Sequence, residues 1–325
     1  MNNTIRPMNV VIVDEELPYP PNSGKRIRTL NLLLPLAERH RIAYICHPSA
    51  DAEETREAVE FFRRHGVETV LVDRTLPGKS GPAFYGRLLW NLCSPLPYSV
   101  QLHNSSALRR AIRDHAAAHD VDLWHCEWTP YGESLASLAV GPWIVVAHNV
   151  ESLIWRRYCE NESNPLKRWY IGRQWHKFER FERRMFAAAP LTVAVSESDS
   201  QLMREQFGAE RVEVVDNGVD VAYFQPDGSV RDPDRLLFLG SLDWRPNLDA
   251  VKQLLDLVFP RVLARRPSAR LSIVGRKPPH WLAERIGECP GVELHADVPD
   301  VRPFLHTCGL MVVSLRIGGG SRLKI

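Results

Sequence analysis

The sequence predicts an α/β protein built as two parallel-sheet layers in tandem, on three observations. Short apolar, β-branched runs alternate with polar segments of helical period, the pattern of a parallel sheet covered by helices. The alternation begins again in the second half, and 325 residues fit two such layers better than one very wide sheet. In that second half the apolar runs lead into glycine turns, at Gly240, Gly275 and Gly318. A content of 44% hydrophobic and 25% charged residues fits a soluble globular protein and excludes wholesale disorder.

The first series of apolar runs is Val10 to Val13, Ile42 to Cys46, Val67 to Val72, Val121 to Cys126, Trp143 to Ala147 and Leu191 to Val195. The second is Val212 to Val215, Leu236 to Leu239, Leu271 to Val274, Val292 to His295 and Leu310 to Ser314. Between the series, Ser196 and Asp199 have the spacing of a capping box, so a helix starts there and Gly208 ends it. Asp216-Asn217-Gly218 is then a turn. The expected division is an N-terminal domain over 1–195, a linker region over 196–216 and a C-terminal domain over 217–325.

After the first strand, Pro18, Pro20 and Pro21 forbid helix, Asn22-Ser23-Gly24 turns the chain, and leucine spacing predicts a helix from Lys25 to Arg39. In an open α/β sheet that first loop lies at the carboxyl edge of the strands, where ligands bind. Lys25, Arg26 and Arg28 either meet a negatively charged ligand there or stand as solvated charges on an ordinary helix. From Gly81 to Val100, residues Phe84, Tyr85, Leu88, Leu89, Trp90, Leu92, Leu96 and Tyr98 read as a core stripe, with a flap or a membrane-dipping surface as the alternative. His148 and Asn149 close the strand Trp143 to Ala147 at a carboxyl edge, and are expected to point into the crevice between the domains. The helix expected over Pro165 to Ala189 places Trp169, Trp175, Phe178 and Phe181 among basic residues; it reads as packed on the sheet, with a lipid-surface helix as the alternative.

In the second half, Leu236 to Gly240 runs into Ser241, then Asp243-Trp244-Arg245-Pro246-Asn247 and a helix from Leu248 to Ala264. Ile273-Val274-Gly275-Arg276-Lys277 repeats the theme of strand, glycine and basic residue. The stretch Leu310 to Ile325 runs from a strand through Gly318, Gly319 and Gly320 into what looks like a first helical turn, in outline an anion cradle of backbone N–H groups and helix dipole. Arg316, Arg322 and Lys324 add positive charge. In a parallel sheet all three glycine turns open on one edge, where a nucleotide would bind.

A net charge of +2 argues against a general nucleic-acid binder. No GxGxxG follows the first strand and no GxxxxGK[ST] occurs, which leaves a dinucleotide fold or P-loop unsupported. The Asp120-Val121-Asp122 triplet precedes its strand, at the wrong edge for metal-assisted sugar-nucleotide binding, and no HxH or HExxH pattern suggests a metal. No cofactor is therefore expected. The six scattered cysteines read as reduced thiols, and the run Asn9 to Val13 is too short for a signal-peptide core or a span, so a cytoplasmic protein is expected.

Taken together, the segments PPNSGKRIRTLNLL (Pro20 to Leu33), HNVESLIWRR (His148 to Arg157), AVSESD (Ala194 to Asp199), NGVDVAYFQP (Asn217 to Pro226), LFLGSLDWRPNLDAV (Leu237 to Val251), IVGRKPP (Ile273 to Pro279) and SLRIGGGSRLKI (Ser314 to Ile325) resemble a retaining GT-B glycosyltransferase of family four, of the kind that assembles bacterial exopolysaccharide and cell-envelope glycans. The resemblance implies two Rossmann-like domains facing across a cleft. It implies transfer of a sugar from a nucleoside-diphosphate-sugar, the co-substrate held by the C-terminal domain, to a glycan or lipid-linked acceptor on the N-terminal one. His148 would then reach toward the transferred sugar and Gly24 would lie near donor phosphate. Gly240, Ser241, Asn247, Gly275, Arg276, Gly318, Gly319, Gly320, Arg322 and Lys324 would hold the donor. Asn22, Ser23, Lys25, Arg28, Asn149 and Glu151 fall on the acceptor side.

Three departures accompany the resemblance. The Arg and Lys that many members use against the leaving diphosphate correspond here to Ser241 and Asn247, with Arg245 placed to compensate. The first acid of the family's paired-glutamate motif falls at Gly319, and the second falls beyond Ile325. The second domain is shorter than the family's, so the chain reads as a truncated transferase. A non-catalytic acceptor- or partner-binding remnant and a sugar-nucleotide epimerase on the same fold are the alternatives. Peripheral contact with the inner membrane face is a further expectation.

Overall fold

The computed structural model describes residues 6–72, 76–78 and 80–317. Gly318, Gly319, Gly320, Arg322 and Lys324 lie outside them. The chain divides after Asn217 into two compact units, each with its own parallel sheet.

The first sheet contains β1 (Asn9–Val13), β2 (Arg41–Cys46), β3 (Glu68–Leu71), β4 (Leu123–Cys126), β5 (Trp143–Ala147), β6 (Leu191–Ala194) and β7 (Val212–Val214), in the order β3-β2-β1-β4-β5-β6-β7 with every pairing parallel. Its helices are α1 (Gly24–Ala37), α2 (Ala52–Arg64), α3 (Pro82–Asn91), α4 (Tyr98–His103), α5 (Ser106–Ala118), α6 (Gly132–Leu138), α7 (Glu151–Asn161), α8 (Pro165–Ala188) and α9 (Glu197–Phe207). Both sheet faces are buried, which is why the strands read as continuous apolar runs. Alternation sorts the side chains: Val11, Val13 and Ile45 join Trp124 and Phe178 on one face, while Ile12, Tyr44 and Cys46 join Leu30, Leu33 and Phe62 on the other. On α8, Phe178, Phe181 and Met185 recur at helical spacing and are buried, so the sheet-packed reading describes that half of the helix.

The span expected as a linker is structure. Ser196 caps α9 by accepting the Asp199 N–H at 3.2 Å, Gly208 closes the helix at φ +71°, and β7 then pairs with β6. Val212 to Val214 thus completes the first sheet rather than opening the second, because the left-handed turn at Gly208 sends the chain back alongside β6. Asp120 and Asp122 sit at the amino end of β4, where Asp122 accepts the Asn9 N–H at 2.8 Å. The core reading of residues 81–100 holds only in part: Leu96 packs on the first core and Phe84, Leu88, Leu92 and Tyr98 are half-buried, but the outer side of the stripe is not covered. Of α3 only Asn91 is buried, tied to Gln174 and Lys177 of α8, while Tyr85, Leu89 and Trp90 are 64%, 67% and 75% exposed. A ten-residue helix pinned by polar bonds at one end covers only the inner side of its stripe, where Phe84 meets Tyr98.

The second sheet runs β10-β9-β8-β11, again parallel, from β8 (Asp232–Leu239), β9 (Arg270–Gly275), β10 (Val292–Ala296) and β11 (Cys308–Met311). Its helices are α10 (Arg245–Gln253), α11 (Phe259–Arg265), α12 (His280–Gly287) and α13 (Arg302–Thr307). A π-helical turn over Leu254–Val258 joins α10 to α11 within what the sequence reads as one helix. Pro260 explains it: the ring lacks an N–H and crowds the carbonyl four residues back, at Asp256, so the ladder widens there. Phe238, Leu254, Leu255, Phe259, Leu271, Ile273 and Leu282 fill this core.

Candidate functional site

The order of the first sheet reverses between β1 and β4, which makes their carboxyl ends a topological switch point. Polar side chains collect there. Asp14 follows β1, Glu127 follows β4 and His148 follows β5, while α1 enters from Ser23, whose Oγ accepts the Arg26 N–H at 3.3 Å. Asp14 is buried: Oδ1 accepts from Lys25 Nζ at 2.5 Å and from the Glu15 N–H at 2.6 Å, and Oδ2 accepts from Tyr44 Oη at 2.7 Å. Burial works against a charge on Lys25, but the adjoining Asp14 carboxylate outweighs it and holds the ammonium well above the usual lysine range. Burial, with Asp14 alongside, likewise drives the Tyr44 phenol well up.

Glu127 is the centre of the cluster. Its Oε1 accepts from Thr29 Oγ1 at 2.7 Å and lies 3.1 Å from His148 Nε2, and its Oε2 lies 2.6 Å from His125 Nε2. Burial alone would raise its carboxyl, but the two imidazole bonds prevail and keep it well below the ordinary carboxylate value. At the start of α7, Glu151 is reached by Trp128 Nε1 at 3.0 Å, and burial pushes its carboxyl up. Glu182, fully buried on α8, takes the N–H groups of Glu151 and Ser152 at 2.6 and 3.0 Å, and burial lifts it to about 8.

The residues expected on the acceptor side are all at or beside this edge, several of them with structural partners. Asn22 Oδ1 accepts from Arg26 at 3.4 Å, Ser23 is the α1 cap, Gly24 opens the helix, and Asn149 is half-buried next to His148. Arg28 is buried. Its guanidinium donates to the carbonyls of Val215 and Asp216 at 2.7 and 2.9 Å and to Asn217 Oδ1 at 3.1 Å, holding the chain after β7, so it is not a solvated charge.

In the second unit, the turns after β8 and β9 meet at the carboxyl edge. A Cβ on Gly275 would lie 2.0 Å from the Gly240 carbonyl oxygen, so only glycine fits there, and one on Gly240 would lie 2.8 Å from Asn247 Nδ2 and displace that side chain. Asn247 Nδ2 donates to the Ser241 carbonyl at 2.8 Å, Arg276 Nε donates to Ser241 Oγ at 3.2 Å, and the Leu242 N–H reaches the Arg276 carbonyl at 2.9 Å. Gly240, Ser241, Asn247, Gly275 and Arg276 are thereby brought together, and Arg245, exposed, opens α10 beside them. Arg316, expected to lend its charge to the glycine loop, is instead matched by Asp249 at 2.7 and 2.8 Å.

Asp14, Thr29, Tyr44, His125, Glu127 and Glu182 were not singled out by the sequence. One signal did exist: Asp14 and Glu127 each directly follow an apolar strand, at the edge where such folds bind ligands.

A family model described as Glycosyltransferase Family 4 matches residues 22–223, more than half of the chain, and one described as Glycosyl transferases group 1 matches residues 233–325. The phosphatidyl-myo-inositol mannosyltransferase of Mycolicibacterium smegmatis is 29% identical over 209 residues, which is 61% of this chain but 48% of that protein, so the chain spans about half the length of this curated relative. Among solved structures, the sucrose-phosphate synthase of Thermosynechococcus elongatus superposes with a TM-score of 0.66 at 14% identity, covering 98% of this chain and 77% of that one. A point mutant of S. aureus TarM, solved in a complex that includes UDP, superposes at 0.58 with 9% identity, covering 94% and 80%. A putative UDP-N-acetylglucosamine 2-epimerase from Listeria monocytogenes gives 0.51 at 11% identity, covering 93% and 72%. These likenesses establish the fold, two Rossmann-like domains of the GT-B kind. With the family model matching more than half of the chain, His148, Glu127, His125 and Thr29 included, the chain belongs to Glycosyltransferase Family 4.

Proposed function

We propose that this chain transfers a glycosyl group from a nucleoside-diphosphate-sugar to a hydroxyl of a glycan or lipid-linked acceptor, with retention at the anomeric carbon. The observation that carries the reading is the buried Glu127 holding His148 at the switch point of the first sheet, in a member of this family. In the reaction the bond from C1 to the diphosphate oxygen breaks and the bond from C1 to the acceptor oxygen forms on the same face. The acceptor proton leaves with the diphosphate. His148 faces the transferred sugar; Asn22, Ser23, Lys25, Asn149 and Glu151 border the acceptor. Loop N–H groups around Gly240 and Gly275, with Arg245 and Arg276, meet the charge that develops on the diphosphate.

The test is a thermal-shift panel of UDP-, GDP- and ADP-sugars that includes a mannosyl donor, chosen because the curated relative is a mannosyltransferase. Product analysis follows. Nucleoside diphosphate released only when acceptor is present supports transfer. Free nucleotide released without acceptor would instead indicate an epimerase, and stabilisation by no donor would leave a partner-binding module.

The acceptor side also fits an anionic lipid surface on the cytoplasmic face of a membrane. Tyr85, Leu89 and Trp90 on α3 and Leu166 and Trp169 on α8 are exposed, among the exposed cations Lys167, Arg168 and Arg173. No helix among the described residues is long and apolar enough to cross a membrane. Co-sedimentation with anionic vesicles, lost with zwitterionic vesicles and weakened in W90S/W169S, is the expected result; equal binding to both vesicle types counts against it.

A further inference from the structure

His125 and His148 come from neighbouring strands, β4 and β5, and approach one carboxylate through the same ring nitrogen. Nε2 of His125 is 2.6 Å from Glu127 Oε2 and Nε2 of His148 is 3.1 Å from Oε1. An ionised carboxylate only accepts hydrogen bonds, so each ring presents its Nε2–H to Glu127 and, when neutral, carries its lone pair on Nδ1. The Thr29 hydroxyl donates to Oε1 from α1 and fixes the plane of the carboxylate from a third direction. Glu127 is 6% exposed at its side chain, so water does not compete for either oxygen. Both histidine side chains remain partly accessible, at 16% and 13%.

We propose that Glu127 is a positioning residue for transfer: it sets the ring orientation and the Nε2–H tautomer of His148, the side chain offered to the sugar, and yokes that ring to His125 through one shared carboxylate. The proposal rests on the transfer reading above for the role of His148, but the tautomer does not. Glu127→Gln keeps the size and one carbonyl acceptor, while its amide NH₂ is a donor aimed at a ring nitrogen that is also a donor. Its carbonyl suits the Oε1 side, where Thr29 and His148 both donate, so the ring that must turn over or shift its hydrogen to Nδ1 is His125; Glu127→Leu keeps the bulk and takes the acceptor from His148 as well. His125→Gln removes the other ring and leaves Glu127 with His148, so the tautomer of His148 stays as it was.

The experiment is long-range ¹H–¹⁵N NMR of the full chain labelled with ¹⁵N-histidine, with signals assigned through H148Q and H125Q, alongside steady-state kinetics. The expected result is His148 held as Nε2–H in the native protein and in H125Q. In E127L a mixed or Nδ1–H signal is expected for His148, with kcat lowered on the order of 10–100-fold, as when other histidines lose a supporting carboxylate, and KM little changed. T29V keeps both rings on Glu127 and should keep the native signal, which separates the effect from general loosening. A His148 tautomer indifferent to E127L in a chain that does transfer sugar overturns the proposal, as does an Nδ1–H signal in the native protein. A fixed tautomer in a chain that transfers no sugar overturns the transfer reading instead.

Discussion

Helix α7, which follows directly on His148 and Asn149, has no cap of its own. Val150 stands at its N-cap position without a side-chain bond, and Glu182 of α8 does the capping from outside, through the N–H groups of Glu151 and Ser152. In Glu182→Gln one of those oxygens becomes an NH₂ group, so one buried N–H faces a donor at a cost of about 1–3 kcal/mol. For a unit of this size each kcal/mol lowers Tm by roughly 2–4 °C, so a fall of about 2–12 °C is expected by circular dichroism or differential scanning fluorimetry. The pH dependence discriminates further. The folded carboxyl sits at about 8 against 4.5 in the unfolded chain, so between these values the native state holds a proton that the unfolded state has released. That contribution is fully present below 4.5 and is lost as pH rises through about 8. Glutamine does not titrate, and Glu151 titrates in both proteins. The Tm gap between native and E182Q protein should therefore be widest near pH 5 and narrow toward pH 8. A gap that is flat or widens over this range would refute the reasoning, because it would mean that the two N–H donors keep Glu182 ionised despite its burial.

Two further predictions concern backbone contacts. Gly275→Ala forces a methyl against the Gly240 carbonyl oxygen and should destabilise the second unit by about 1–3 kcal/mol and weaken donor-induced thermal shifts, whereas Gly287→Ala, with open space at the end of α12, should be neutral or stabilising by up to about 1 kcal/mol. Arg28→Lys should fail to restore what Arg28→Ala loses, about 2–4 kcal/mol, since one ammonium cannot reproduce a fork that spans Val215 to Asn217. Faster hydrogen exchange at the Val215 amide, which bonds the Ala194 carbonyl, is the local readout.

Much of the scaffold was legible because a strand buried on both faces must be apolar along its length, and Val11, Ile12 and Val13 or Val145, Val146 and Ala147 could hardly read otherwise. Caps were legible where a short polar side chain bonds its own helix, as at Ser196. Which sheet a strand joins was not: Val212 to Val214 is three residues long, and only its pairing with β6 settles the matter. His148 could be proposed from its place at a strand end, yet its partner could not. Glu127 precedes it by 21 residues and meets it only because β4 and β5 are adjacent. The partners of the charges on α1 were hidden for the same reason. Lys25 and Arg28 look alike in a row of basic residues, but one is matched by Asp14 and the other ties down the chain after β7. The exposure of Trp90 was equally hidden, since an apolar helix announces a buried face only when something stands opposite it.

The contact between Gly240 and Gly275 carries one more implication. Two peptide groups that touch directly form a stiff floor, with no side chain between them to enlarge, shorten or recharge. Substitution cannot retune that floor without prising the two strands apart. Under the transfer reading proposed above, donor preference is then adjusted not in the floor but at the walls around it, such as Ser241, Arg245 and Arg276, where selection or design can act while the frame beneath stays the same.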